Sequence, residues 1–456
     1  MNERTFLHQL RRGLGSAIVE LQENQQPQKY KEILLRCCLK DIGYDVQIEG
    51  TKGEYLYTAI CALGGKDEFE DAIIDAFMKR LDYRLFQQLA DILCLYAEDG
   101  SEKAKNALRI KYQSLAKQLL RQKTFPYRYS EHEQFEYLMI YEVDTYKWSA
   151  FKKCIADASH ISMMRKDDAC DDYDWFFAHC QRVFGKERIE RYFDEILKKM
   201  PESKAFIVAI NESRRMREEN SRLRVEPEVT LESYISRAGE SENDRYAYIR
   251  MRIVAMRLSR QSNQDDLKKL VSIIIDEQSD EIKARLLQVF RTVDFPADID
   301  ILINYAESGC ERLQDSAVDA LERFKDKRIH DLAVKFITSG NLDAGLSLLV
   351  KNLKKQDEAL LRVHILSSKK MPHAVQQGIR DIYSKRRSKS CGDILEHVYR
   401  YGECTFCRAD IVRAMWKSRV LRADILNECL YDSYDETREM ARRIKRIIEN
   451  GTVSRK

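Results

Sequence analysis

The sequence predicts an all-α protein, an α-α superhelix of antiparallel helix pairs, and three observations carry that prediction. The first is a repeat. Ile282, Leu286, Val289, Phe290 and Val293 return 31 residues on as Leu313, Ala317, Ala320, Leu321 and Phe324, and 29 residues further as Leu342, Leu346, Leu349, Val350 and Leu353. The spacing i, i+4, i+7, i+8, i+11 places each set on one stripe of an α-helix. The second is that the intervening segment repeats too: Ile299, Leu302, Ile303 and Ala306 recur as Ile329, Leu332, Ala333 and Phe336. The third is composition. Six prolines and 17 glycines in 456 residues, with 44% apolar and 33% charged residues, suit amphipathic helices rather than strands. A helix apolar on one side cannot bury that side alone, so neighbouring pairs must stack and share a core.

Apolar periodicity predicts N-terminal helices over 4–22, 28–48, 53–63, 67–80, 83–98, 101–122, 132–158, 172–184 and 187–198. Asp99 and Glu102 are spaced as a capping box at the restart after Gly100. The stretch 213–243 is polar and arginine-rich, contains Pro227, and shows only a short helix at 230–237. It divides the chain into an N-terminal helical segment, 1–212, and a C-terminal repeat segment, 244–456. In the latter, Pro296 suits a helix first turn, Ser279, Asp280, Gly309 and Gly340 mark joints, and helices follow at 357–368, 373–384, 392–401, 407–417, 421–431 and 435–449.

The paired helices at this spacing resemble bacterial HEAT-like repeats of the short kind, about thirty residues per unit, over roughly 244–450. The unit is shorter than full HEAT or armadillo repeats, and the T-P-L-H signature of ankyrin and the W…L-G…Y pattern of TPR units are missing. The N-terminal segment resembles uncharacterised bacterial HEAT-like proteins through a looser repeat. The resemblance implies a right-handed superhelix used as a scaffold or docking surface, and no chemistry. Some short HEAT-like proteins are base-excision enzymes, but no catalytic Trp and Asp of that kind can be matched here.

No stretch reaches the ~20 uncharged apolar residues a membrane span needs, and residues 1–10 lack a signal-peptide run. The twelve cysteines sit singly in apolar stretches or as the neighbours Cys37 and Cys38, which fits reduced thiols. A cytoplasmic protein is therefore expected. The net charge of +4 divides into −3 over 1–212 and +7 over 213–456, which tilts the second half toward an anionic partner.

The densest charge lies in Lys369–Arg422, where 13 Lys and Arg face 5 Asp and Glu. Lys385, Arg386, Arg387 and Lys389 are its centre, and Arg413, Lys417 and Arg419 surround Trp416. Cations interleaved with Tyr383, Tyr399, Tyr401 and Trp416 would serve a phosphate backbone and stacked bases. A second basic run includes Lys103, Lys105, Arg109, Lys111, Lys117, Arg121, Lys123 and Arg128, and the acidic stretch from Glu131 to Asp144 is expected to pair with it.

Cys404 and Cys407 form a C-x-x-C, with Cys391 and His397 as conceivable zinc partners. Six residues apart on one helix, Cys391 and His397 point away from each other, so no metal is expected. Asp167, Asp168, Asp171, Asp172 and Asp174 lack the Gly and Glu of a calcium loop and fit a helix start near Trp175. Asp41, Asp45 and Glu49 would share a helical face in a structural role. With no phosphate-binding Gly loop, H-E-x-x-H or G-x-S-x-G elbow, the sequence points away from an enzyme and a cofactor. It points to a scaffold binding a protein or peptide on its concave face, with nucleic-acid binding through the basic repeats as the alternative.

Overall fold

The structure is a computed structural model that describes residues 1–44, 49–79, 81–121, 129–163, 173–199, 204, 206–208, 210–211, 228–240, 245–368 and 371–453. The described residues are helical throughout, with a single β-bridge between Met371 and Gly402 and no strand. None of their helices is long and apolar enough to cross a membrane. Two compact units emerge: residues 1–224 together with 424–456, and residues 225–423.

In the second unit the repeat becomes two rows of helices. Asp280–Leu287, Glu311–Leu321, Leu342–Asn352, His373–Lys385 and Thr405–Lys417 each pack on the next, and Asp300–Ala306, Lys327–Thr338, Asp357–Ser367 and Gly392–Tyr401 alternate with them in the chain. Leu286, Leu321, Leu346 and Leu349 are fully buried, and Val350 is half-buried. Stacking also sets the ion pairs. Arg312 lies 2.8 Å from Glu281, Arg323 2.8 Å from Asp294, Arg328 2.9 Å from Asp298 and Lys335 2.6 Å from Glu307, so partners sit 28 to 31 residues apart, one repeat. Such exposed pairs add little stability each; they report the register.

The joints differ from expectation in places. Pro296 precedes its helix by four residues, and the Asp298 carboxylate accepts from the Asp300 N–H at 3.0 Å instead. In the first unit the capping residue after Gly100 is Ser101, whose Oγ accepts from the Ala104 N–H at 3.1 Å. Asp99 is drawn away by Lys66 and by the Tyr57 hydroxyl.

The first unit holds one apolar cluster running from Phe6 to Ile210. The stretch predicted as one helix over 4–22 is two, Glu3–Arg12 and Gly15–Glu23, because Gly13 has φ +67° and closes the first with a left-handed cap. Within 28–44 the prediction becomes a 3-10 turn at Pro27–Tyr30 and a helix at Lys31–Cys38, and 45–48 lie outside the described residues. Tyr129–Met163 is broken at Lys147, whose φ of 57° is non-helical, and Trp148 just beyond packs on Phe151, Phe184 and Tyr192.

The last residues join this unit rather than the repeats that precede them. The Ser433 N–H donates to Gly13 O at 2.9 Å, and Arg438 reaches Glu54 at 2.8 Å. A Cβ on Gly15 would lie 1.7 Å from Glu428 O, so only glycine lets the two segments meet.

Candidate functional site: an acidic and aromatic groove

Three adjoining cavities of about 460, 980 and 360 Å³ lie in the first unit, along the helices Tyr83–Glu98 and Tyr129–Met163. Asp91 and Tyr137 line the first two, and Cys94 and Tyr137 line the first and third, so the cavities form one groove. Its walls carry Tyr44, Tyr83, Tyr137, Tyr434 and Trp175 among Glu54, Asp91, Glu133, Glu136, Asp144 and Asp435.

Local chemistry explains why these side chains face one place. Gly53 opens the helix Gly53–Leu63, and a Cβ there would lie 2.4 Å from Asp91 Cβ, so the turn before it reaches the helix Tyr83–Glu98 closely. Thr51 Oγ1 and Tyr137 Oη thereby both donate to the Asp91 carboxylate. Burial pushes the Asp91 carboxyl above the usual carboxylate range against those two hydrogen bonds, and the charge of Glu54 adds to the rise. Burial also raises Glu133.

Trp175 stands at the mouth. Its neighbours Phe176 and Phe177 are buried, and Glu136 accepts from the Phe176 N–H at 3.0 Å, which fixes the helix start. Trp175 itself is 80% exposed, although a tryptophan ordinarily buries most of its ring. The cations nearby are engaged: Arg84 lies 3.2 Å from Asp41 and Lys105 2.7 Å from Glu102. Several wall acids are engaged as well, Glu54 and Asp435 by Arg438 and Asp144 by His179, and Trp175 is the most exposed ring of the groove.

The first set of basic residues singled out in the sequence lies in the second unit. Lys385, Arg387, Lys389, Lys417 and Arg419 are exposed. Arg386 is half-buried and donates to Leu353 O at 2.6 Å, and Arg413 pairs with Asp410. Tyr383 and Tyr399 are buried and cannot stack on a base; Trp416 and Tyr401 are partly buried. Much of the local positive charge is committed, since Arg380 pairs with Asp381, Arg400 and Arg422 with Glu396, and Arg408 is fully buried.

Of the second basic run, Lys103 meets Asp71 on the helix Lys66–Phe77, Lys105 meets Glu102, Arg109 lies over the Tyr146 ring and Lys111 donates to Lys79 O. Lys123 and Arg128 lie outside the described residues, as do Asp45 and the aspartates from Asp167 to Asp172. Asp41 lies outside a helix and pairs with Arg84, and Glu49 pairs with Lys52.

Cys391 and His397 do not approach the C-x-x-C: the Cys391 thiol donates to Ser388 O at 3.0 Å, and His397 Nε2 lies 2.6 Å from Ser368 O. The imidazole that does approach is His373, with Nε2 3.8 Å from Cys407 Sγ. The groove was not legible as a site, because its residues come from five separated stretches and none forms a motif. The one signal available was a tryptophan preceding two phenylalanines at a helix start.

Neither a protein-family model nor a curated protein matches this sequence. Among solved structures, a crystal structure of an engineered protein is similar over 95% of this chain and 98% of that one, at 11% identity and a TM-score of 0.28, a likeness that carries no argument.

Proposed function

We propose that the chain is a non-catalytic, HEAT-like helical scaffold of the cytoplasm that holds a lysine- and arginine-rich segment of a partner protein in the groove of its first unit. The observation that carries this reading is the coincidence of an exposed tryptophan with acids of raised proton affinity along one continuous cleft. Aromatic faces and carboxylates are what a guanidinium or ammonium group needs, through cation–π contact and charge-assisted hydrogen bonds. Every described cysteine is a free thiol, which agrees with a reducing compartment.

The test is a fluorescence-anisotropy titration of the full chain with an Arg/Lys-rich peptide, an acidic peptide and single-stranded DNA. The basic peptide binds, more weakly as salt rises, and the acidic peptide does not. Trp175→Ala weakens binding about thirtyfold, the scale of an interface hot spot near 2 kcal/mol. Because Asp91 and Glu133 lose their protons only above the ordinary carboxylate range, the groove gains negative charge as pH rises through that window, and affinity rises with it. Preferential DNA binding, lost in a Lys385→Glu, Arg387→Glu, Lys389→Glu variant, would replace this reading with the polyanion one.

A further inference from the structure

We propose that His373, Cys404 and Cys407 together bind a zinc ion in the second unit. Their ligand atoms all lie within 4.8 Å of one another. Tetrahedral zinc with bonds near 2.3 Å to sulfur and 2.0 to 2.1 Å to nitrogen spans ligand separations of about 3.5 to 3.8 Å, and His373 Nε2 is 3.8 Å from Cys407 Sγ. Two soft thiolates with an imidazole select zinc over magnesium or calcium.

The cluster is held from several sides. Cys404 is the N-cap of the helix Thr405–Lys417, and its Sγ accepts from the Cys407 N–H at 3.4 Å. Both sulfurs thus sit in the first turn of that helix. His373 begins the helix His373–Lys385, which packs directly on Thr405–Lys417. The two starts are locked together: Gln376 Nε2 donates to Cys404 O at 2.9 Å, the Cys404 N–H donates to Gln376 Oε1 at 3.2 Å, and Met371 bridges to Gly402. Arg380 donates to Cys407 Sγ at 3.6 Å, an outer-shell contact that supports a metal-bound thiolate.

Binding releases the two thiol protons to solvent, and Zn²⁺ with two thiolates and a neutral imidazole is electrically neutral, as a largely buried site requires. Cys404 and Cys407 are buried and His373 is half-buried, and the three side chains leave one position of a tetrahedron for a fourth ligand. Water is the usual fourth ligand of a three-residue zinc site.

The experiment is a Co²⁺ titration of the reduced full chain, followed by displacement with Zn²⁺. One equivalent of cobalt should produce thiolate-to-cobalt charge-transfer absorption and tetrahedral d–d bands, both removed by zinc. His373→Gln and Cys407→Ser should each weaken cobalt binding beyond the roughly 10–100-fold lost when an outer-shell partner is removed, while Cys391→Ser leaves it unchanged. Circular dichroism identifies any variant that fails to fold, and for such a variant the wild-type titration decides. A reduced wild-type chain with no thiolate-to-cobalt band, or a band abolished equally by Cys391→Ser, would overturn the assignment.

Discussion

Replacing Gly15 with alanine is expected to detach the C-terminal segment from the first unit. The new methyl group would occupy the position of the Glu428 carbonyl oxygen, a backbone atom that no rotamer change can move. Overpacking of this kind costs about 1–3 kcal/mol, occasionally more, and here the strain can be relieved only by withdrawing residues 428–433. That withdrawal removes the Ser433 to Gly13 hydrogen bond and carries Tyr434 and Asp435 off the groove wall. Hydrogen exchange should show loss of protection confined at first to Asp435–Val453 and Gly15–Glu23, with proteolysis beginning after residue 423. Unchanged protection of both helices would contradict this packing.

Leu321→Ala is expected to have the larger effect on global stability, about 2–5 kcal/mol for a buried leucine with no room to collapse. Leu321 is fully buried at the end of Glu311–Leu321, where that helix meets both its pair partner and the next repeat. Leu286 and Leu346, which occupy a neighbouring position of the same stripe, are also fully buried, and their replacement by alanine should cost similar amounts. Repeat stability is close to a sum of unit and nearest-neighbour terms, so distant double substitutions should add while adjacent ones should not. Denaturant unfolding followed by circular dichroism measures all of these.

What was legible in the sequence was periodicity. The stripe through Leu286, Leu321 and Leu346 survives translation into three dimensions because a helix converts spacing directly into direction, and stacking converts repetition into burial. The helices Gly53–Leu63, Tyr83–Glu98 and Gly392–Tyr401 begin and end where apolar period and flanking residues place them. The break at Gly13 is hidden because its neighbours continue the apolar period, while its left-handed backbone and the close approach of Ser433, more than four hundred residues away, both call for glycine there. Arg386 shows the same limit for charge. Its position in a cationic run suggested a free surface, whereas one carbonyl from the preceding repeat, at Leu353, already occupies it.

Long-range convergence was the part a single sequence could not give. Asp91, Thr51, Tyr137 and Trp175 have no fixed spacing, and their meeting depends on how the turn before Gly53 seats on the helix Tyr83–Glu98. The C-x-x-C was visible, but the imidazole beside it comes from 34 residues upstream, one repeat away, rather than from within its own helix pair.

Fluorine NMR of the chain labelled with 5-fluorotryptophan tests the groove most directly, because the protein has only three tryptophans and they occupy three different settings. Trp148 is held in an aromatic cluster, Trp416 is partly buried in the second unit, and Trp175 stands open at the groove mouth. On titration with the basic peptide, the Trp175 resonance should move or broaden while Trp148 and Trp416 stay in place. A shift confined to Trp416, or saturation of binding with Trp175 unmoved, would show that the partner sits elsewhere.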